Sequence, residues 1–357
     1  MKIRPVRPGK SYVLDIFRAF AQQKNFRLAD PQGTEEFVRT VADDLSKATA
    51  NPITLFGTSA QTMFEYVAAS LGGCKLVKSE DAGALHTEND ELKVPDFRIV
   101  LRTGAQLLVE AKNFFQKSPF QLFRMKSTYL DGLQAYANLF NTDLRIAVYW
   151  TRWNTWTLTR PEVFARDQAK CLLGFEAALK GNDMASLGDV QLATTPPLKF
   201  RVLTDPNAPR TIDSSGNAQF RFGGIQLFCG ESLITDPLEQ SIALFMMLYG
   251  NWPSEYGEAI TEGDQLVAFD LVSEPEETFE GQPFSIAGSM SGMVSRRFLS
   301  MTTEGGQVQR LAPKSLESDL GIRIPDDYKG TELPLWRFTM VTSDEPPSPS
   351  QRPGDAA

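Results

Sequence analysis

The sequence predicts an α/β fold built in more than one unit, on three observations. Apolar residues recur at helical spacing through the first seventy positions. Short apolar runs bounded by turn residues alternate with helical stretches from Lys75 to Thr159. The same mixture resumes after a Gly-, Asn- and Asp-rich stretch at 181–188. With 357 residues, 42% of them apolar and 22% charged, the chain has ample length to bury a core.

Each element has its own signal. Tyr12 to Phe26 carries Val13, Ile16, Phe17 and Phe20 on one helical face, and Thr34 opens a second helix with Glu36 as an early acid. Gly57-Thr58-Ser59 opens a third, with Phe64, Val67, Ala68 and Leu71 as its stripe and Gly72-Gly73 as its stop. Lys75 to Lys78 reads as a short strand, Ser79 to Lys93 as a polar loop, and Val94 to Lys112 as a β-hairpin. Ser118, followed by Pro119 and Gln121, is expected to cap a long helix running towards Phe140. Strands follow at Leu144 to Thr151 and Thr155 to Thr159, then an amphipathic stretch from Gln168 to Leu179.

Beyond the 181–188 stretch, expected as a boundary or long surface loop, strands are predicted at Leu198–Leu203, Phe220–Phe228, Gln265–Val272 and Leu335–Val341. Asp236, Pro237 and Glu239 start a helix that stops at Gly250, and Gly288 to Gly292 reads as a turn or a close helix contact. The expected division is an N-terminal helical segment at 1–50, a unit at 51–185, a second α/β domain at 186–342 and a proline-rich disordered tail from Ser343.

Composition excludes several chemistries. The single histidine, His86, cannot build a histidine-rich zinc site, and Cys74, Cys171 and Cys229 are too scattered for a CxxC pair. Without a long apolar run or a signal-like start, the expectation is a cytoplasmic protein with no membrane partner. The net charge of −8 is uneven: residues 254–357 hold 18 acidic against 8 basic residues, which leaves +2 for the rest. Arg98 to Lys126 alone has six basic residues against Glu110, a local +5 suited to a polyanion.

The hairpin carries the chemistry. In a three-residue loop, Arg102-Thr103-Gly104, glycine takes the left-handed position, so Leu101 faces Ala105, Ile99 faces Leu107, Phe97 faces Val109 and Asp96 faces Glu110. One face is then wholly apolar: Phe97, Ile99, Leu101, Leu107, Val109 and Ala111. The other holds Asp96, Arg98, Val100, Gln106, Leu108, Glu110 and Lys112. Two carboxylates set opposite each other repel, and a divalent cation reverses the sign of that interaction. Lys112 would place an ammonium beside the bound water or the scissile phosphate.

Pro95-Asp96, a hairpin, then Glu110-Ala111-Lys112 on an apolar strand resembles the PD-(D/E)xK nucleases, the restriction-endonuclease-like superfamily. The resemblance covers roughly residues 50 to 160 and makes 51–185 the nuclease domain. It implies a mixed central sheet flanked by helices. It also implies that Asp96, Glu110 and the Ala111 carbonyl hold Mg²⁺ or Mn²⁺ while Lys112 assists the attacking water. An acid from the upstream helix, Glu65, is a further metal candidate. Arg98, Lys117, Arg124, Lys126 and Gln134 are candidates for gripping nucleic acid, expected to be DNA. Gln134-Ala135-Tyr136 departs from the Gln-x-x-x-Tyr pattern of some relatives. Trp150, Trp153 and Trp156 are read as packing residues rather than base-stacking platforms.

The function expected is a metal-dependent DNA endonuclease, in a restriction or anti-phage setting. Its C-terminal domain would serve substrate selection, homo-oligomer assembly or a partner protein. The rivals are a catalytically silent nuclease-like subunit that binds nucleic acid or acts as a scaffold, and an interaction protein whose hairpin charges are merely solvated.

Overall fold

The computed structural model describes residues 10–24, 26–27, 30–80, 85–314 and 320–342; the tail expected from Ser343 lies outside them. The order begins α1 (Lys10–Lys24), α2 (Pro31–Ala50), α3 (Pro52–Ser70), β1 (Cys74–Ser79), β2 (Phe97–Leu101), β3 (Gln106–Phe114), β4 (Phe123–Lys126), α4 (Ser127–Leu139), β5 (Asp143–Trp150) and β6 (Thr155–Thr159). It continues with β7 (Ala165–Asp167), β8 (Lys170–Leu173), α5 (Phe175–Lys180), β9 (Gln191–Thr194), β10 (Leu198–Thr204), β11 (Phe222–Cys229), β12 (Ser232–Ile234) and α6 (Pro237–Tyr249). Last come β13 (Ser254–Glu262), β14 (Gln265–Ser273), β15 (Ser285–Ser289), α7 (Met290–Thr302), β16 (Thr303–Glu304), β17 (Gln307–Val308) and β18 (Leu335–Phe338). Seven helices and several sheets among the described residues make this a mixed α/β protein.

The first sheet has the order β1-β2-β3-β5-β6, antiparallel throughout except for β3 and β5, which run parallel. A parallel pair needs a crossover, and α4 supplies it. Hairpin register is as the turn dictates: Phe97 opposes Val109 and Ile99 opposes Leu107, with Gly104 at φ 96°. The expected apolar face is buried in full under α3, where Phe64 packs 5.7 Å from Phe97 and 5.1 Å from Trp156, ring centre to ring centre.

The opposite face departs from expectation. Leu108, Ile146, Val148 and Trp150 form a second core with Leu130, Leu133 and Ala137 of α4, so the sheet is covered on both sides. Buried parallel strands are apolar on both faces, so on this side the charged residues of the hairpin are reduced to Arg98 of β2 and Glu110 and Lys112 of β3. Trp150 and Trp156 are core residues, as read, and Trp153 stacks on Phe175 at 5.5 Å.

Several element starts are corrected. Asp30, not Thr34, caps α2, because its carboxylate accepts from Gln32 N. Helix α3 begins at Pro52 under an Asn51 cap, ahead of Gly57. The helix expected at Ser118 is a turn followed by β4, which pairs with β8, and α4 starts only at Ser127. Gln121 spends its side-chain oxygen on Lys117 N, and Phe123 is drawn into the second core, so the capping pattern is overridden. The Gln168–Leu179 stretch splits into β8 and the short α5. The 181–188 stretch is a 3-10 turn whose Met184 and Leu187 are buried in the first core.

The remaining sheets are β12-β11-β10-β14-β13, β15-β9-β18, β4-β8-β7 and the pair β16-β17. Asp236 caps α6 as expected, accepting from Leu238 and Glu239 N. Ser289 of the Gly288–Gly292 stretch caps α7. Residues from both sides of the expected division at 185/186 share the first core: Phe64 and Trp156 cluster with Ile242, Met246 and Phe298.

Candidate active site

Asp96 directly precedes β2 and is buried. Its Oδ2 accepts from Ala111 N and its Oδ1 from Gln61 Nε2 of α3, each at 2.7 Å. The helix over the apolar face thus orients the carboxylate at the strand end. Glu110, on β3, is 1% exposed, with Lys112 two residues on and therefore on the same side of the strand. Its Oε1 is held by the Lys112 ammonium and by the Tyr129 hydroxyl of α4, the latter donating at 2.6 Å. The ammonium also lies 5.2 Å from the Tyr129 ring centre. Asp96, Glu110 and Lys112 are thereby brought to one place by the hairpin and by two helices on opposite faces.

Glu110 Oε2 has a different status: it is buried with no hydrogen-bond partner. Leaving a charged acceptor unsatisfied costs on the order of 1–3 kcal/mol or more. A cation beside it would recover that loss, and hard carboxylate oxygens with a neighbouring main-chain carbonyl are the donors Mg²⁺ or Mn²⁺ takes while keeping several waters. Asp96, Glu110 and the Ala111 carbonyl fit such an ion. Among the described residues no three His, Cys, Asp or Glu side chains gather as a metal-holding group, so the protein's share would be small and water would complete the shell. Glu65, expected as a further metal ligand, is half-buried on α3 one turn beyond Gln61 but does not gather with Asp96 and Glu110, and burial pushes its carboxyl above the ordinary range.

The candidate phosphate contacts divide. Arg98 pairs with Glu80 at 2.7 Å, not with Glu110, and lies 4.8 Å from the Phe140 ring centre. The Tyr136 hydroxyl reaches the same Glu80 oxygen at 3.2 Å, and the Arg98 hydrogen bond holds Glu80 below the usual carboxylate range. Arg124 and Lys126 are exposed and alternate on β4, so they share one side of it; Lys117 is exposed on the preceding turn. Lys126 ends a strand rather than sharing a helix face with Gln134. That glutamine donates to Asn138 Oδ1 at 2.9 Å and lines a polar cavity of about 440 Å³ with Arg145 and Arg160.

Gln61 and Tyr129 belong to the site and were missed from sequence. Gln61 stands one turn before Glu65, the helix face already singled out. Tyr129 lies in the helical stretch that the sequence predicts, but the packing of α4 that brings its hydroxyl to Glu110 has no local signal.

No protein-family model matches the chain, and no curated protein does. Among solved structures, the chain is similar to Hjc, a Holliday junction resolvase of the archaeal hyperthermophile Archaeoglobus fulgidus. The identity is 15% and the TM-score 0.26, over 31% of this chain and 84% of that one. Among the described residues no helix is long and apolar enough to cross a membrane.

Proposed function

We propose that the chain is a divalent-metal-dependent nuclease hydrolysing phosphodiester bonds, with DNA as substrate and a restriction-endonuclease-like core within residues 51–185. The observation that carries this reading is the partnerless buried oxygen of Glu110 beside Asp96 and Lys112. Asp96, Glu110 and the Ala111 carbonyl would hold Mg²⁺ or Mn²⁺, with water in place of the third acid expected from Glu65. The bound ion supplies Lewis acidity to the phosphate and lowers the pKa of a coordinated water.

The chain's own residues do the rest. Gln61 and the Ala111 amide fix Asp96, and the Tyr129 hydroxyl fixes Glu110 through one oxygen, leaving the other to coordinate. Lys112 offsets the charge developing on the phosphate and orients the nucleophilic water. Lys117, Arg124 and Lys126 grip backbone phosphates, and Arg98 and Gln134 take secondary contacts. Restriction or anti-phage defence in the cytoplasm is the setting proposed for this activity. Residues 186–342 would serve assembly, as a homo-oligomer or with a partner protein.

One observation favours a silent, nucleic-acid-binding subunit instead: Lys112 and Glu110 already neutralise each other, and both Asp96 oxygens have donors. Cleavage of plasmid and single-stranded substrates with Mg²⁺ or Mn²⁺ separates the two. The nuclease reading expects cutting that falls on the order of a hundredfold or more in Asp96→Ala and Lys112→Ala. A wild-type protein that cuts nothing across metals and substrates leaves the silent reading standing.

A further inference from the structure

A cavity of about 790 Å³ opens where the end of α3, the hairpin turn after β2 and the 322–326 segment meet. It is separate from the candidate active site, because Asp96 precedes β2 and Arg102 follows it, roughly 20 Å apart at 3.3 Å per residue. Leu71, Val190, Ile322 and Ile324 line it, each only half-buried against the first core. The volume is that of a small-molecule site.

Arginine sets its charge. Arg102, Arg323 and Arg337 line the cavity against one acid, Asp326, although the chain as a whole is at −8. Two of the heads are held at the wall: Arg102 Nε donates to the Gly72 carbonyl, and Arg337 donates to the carbonyls of Pro325 at 3.3 Å and Asp326 at 3.0 Å. Gly72, Pro325 and Asp326 line the same cavity, so both guanidinium groups border it. A guanidinium has five N–H donors, and both therefore retain donors once these carbonyls are served. Neither arginine forms an ion pair with a carboxylate among the described residues. A carbonyl fixes the orientation of the fork without cancelling its charge, and that fork matches a phosphate.

We propose that this cavity binds a small phosphate monoester, its anionic end on Arg102 and Arg337 and its apolar body on Leu71, Val190, Ile322 and Ile324. A monoester carries nearly two negative charges above its second pKa of about 6, which answers two arginines. Inorganic phosphate has the charge but leaves the apolar wall hydrated. A hydrocarbon covers the wall but leaves both cations unanswered.

The test is calorimetric titration of the full chain in EDTA with phenyl phosphate, inorganic phosphate and benzoate as probes. Phenyl phosphate is expected to bind about tenfold or more tighter than either of the others. Its binding should weaken as pH falls through about 6, where the probe gains a proton and arginine does not change. Arg102→Gln and Arg337→Gln keep an amide for the carbonyls while removing the charge, and each is expected to lose about tenfold. Asp326→Asn, at an exposed position, removes a like charge from the wall and is expected to tighten binding about twofold. An unfolded variant cannot produce that gain. Glutamine at Lys117, Arg124 and Lys126, on the candidate nucleic-acid track, should leave the affinity within about twofold. No saturable binding of phenyl phosphate, equal affinity for benzoate, or binding unmoved by all three cavity substitutions overturns the inference. Displacement of the probe by an oligonucleotide without terminal phosphates would make these arginines part of a nucleic-acid track, and overturns it too.

Discussion

Glu110 is held by one oxygen and left open at the other, and that asymmetry makes a prediction at the scale of a single residue. Mg²⁺ or Mn²⁺ binding only the folded state stabilises it by RT ln(1 + [L]/Kd), about 2.7 kcal/mol at a hundredfold excess over Kd. The melting temperature of the wild type is expected to rise by several degrees with the ion, while that of Glu110→Gln stays put. A second residue predicts pH dependence. Asp189 turns its carboxylate onto Ser291 N and Oγ at the start of α7, and burial pushes it up to about 6. A folded-state pKa above the unfolded value means the folded protein binds the proton more tightly. Asp189 therefore contributes stability below its unfolded pKa near 4, and that contribution is lost as pH rises through about 6. Relative to Asp189→Asn, the wild type should gain about 1 kcal/mol in urea unfolding between pH 7.5 and pH 5. A difference that does not move with pH would remove burial of the charge as the cause. Asp96, Glu110 and Lys112 were legible because a glycine-closed turn counts the register of its own hairpin. Gln61 and Tyr129 were not, because they arrive from helices whose approach no local pattern encodes.

At the scale of the element, the Asp236 cap is legible in the sequence, whereas the Asn51 cap of α3 is not, the helix being expected only from Gly57. Asn51 accepts from Ile53 and Thr54 N and Asp236 from Leu238 and Glu239 N, so each satisfies amides that the helix leaves open. Ser118 carries the same signature and caps nothing, because pairing of Phe123–Lys126 with β8 and burial of Phe123 outweigh about 1 kcal/mol of capping. Denaturant titration should find Asn51→Ala and Asp236→Ala each destabilised by about 1 kcal/mol, with Ser118→Ala within about 0.5 kcal/mol of wild type. A Ser118→Ala loss as large as the other two would mean that the residue does more than close a turn. The same logic explains the sheet. Period-two alternation placed one face correctly, but the second core arises from parallel pairing of β3 with β5, a contact no alternation announces.

Over the whole molecule, charge and core are distributed differently. The acidic excess sits in residues 254–357, yet that region supplies Met293, Val294 and Phe298 to the cluster that holds Phe64 and Trp156. Trp156 Nε1 donates to Ser295 Oγ at 3.0 Å, and Asn154 Nδ2 to the Gly292 carbonyl at 3.0 Å, so α7 is pinned to the β6 edge of the first sheet. Removing everything from Ser254 onward would thus expose the core under the site, and cannot serve to ask what the acids do. Substituting basic residues can. Lys117, Arg124 and Lys126 are exposed, and replacing them by glutamine touches neither core. If these three lie on phosphates, each releases about one counterion, and the slope of log K against log salt should become shallower by about 3, or about 2 for single strands. Affinity at 50 mM salt would fall steeply while the gap between variant and wild type narrows towards 200 mM. Equal loss at every salt concentration would place these side chains away from the backbone. An unchanged slope with intact cleavage would place the polyanion track away from β4 and the turn before it.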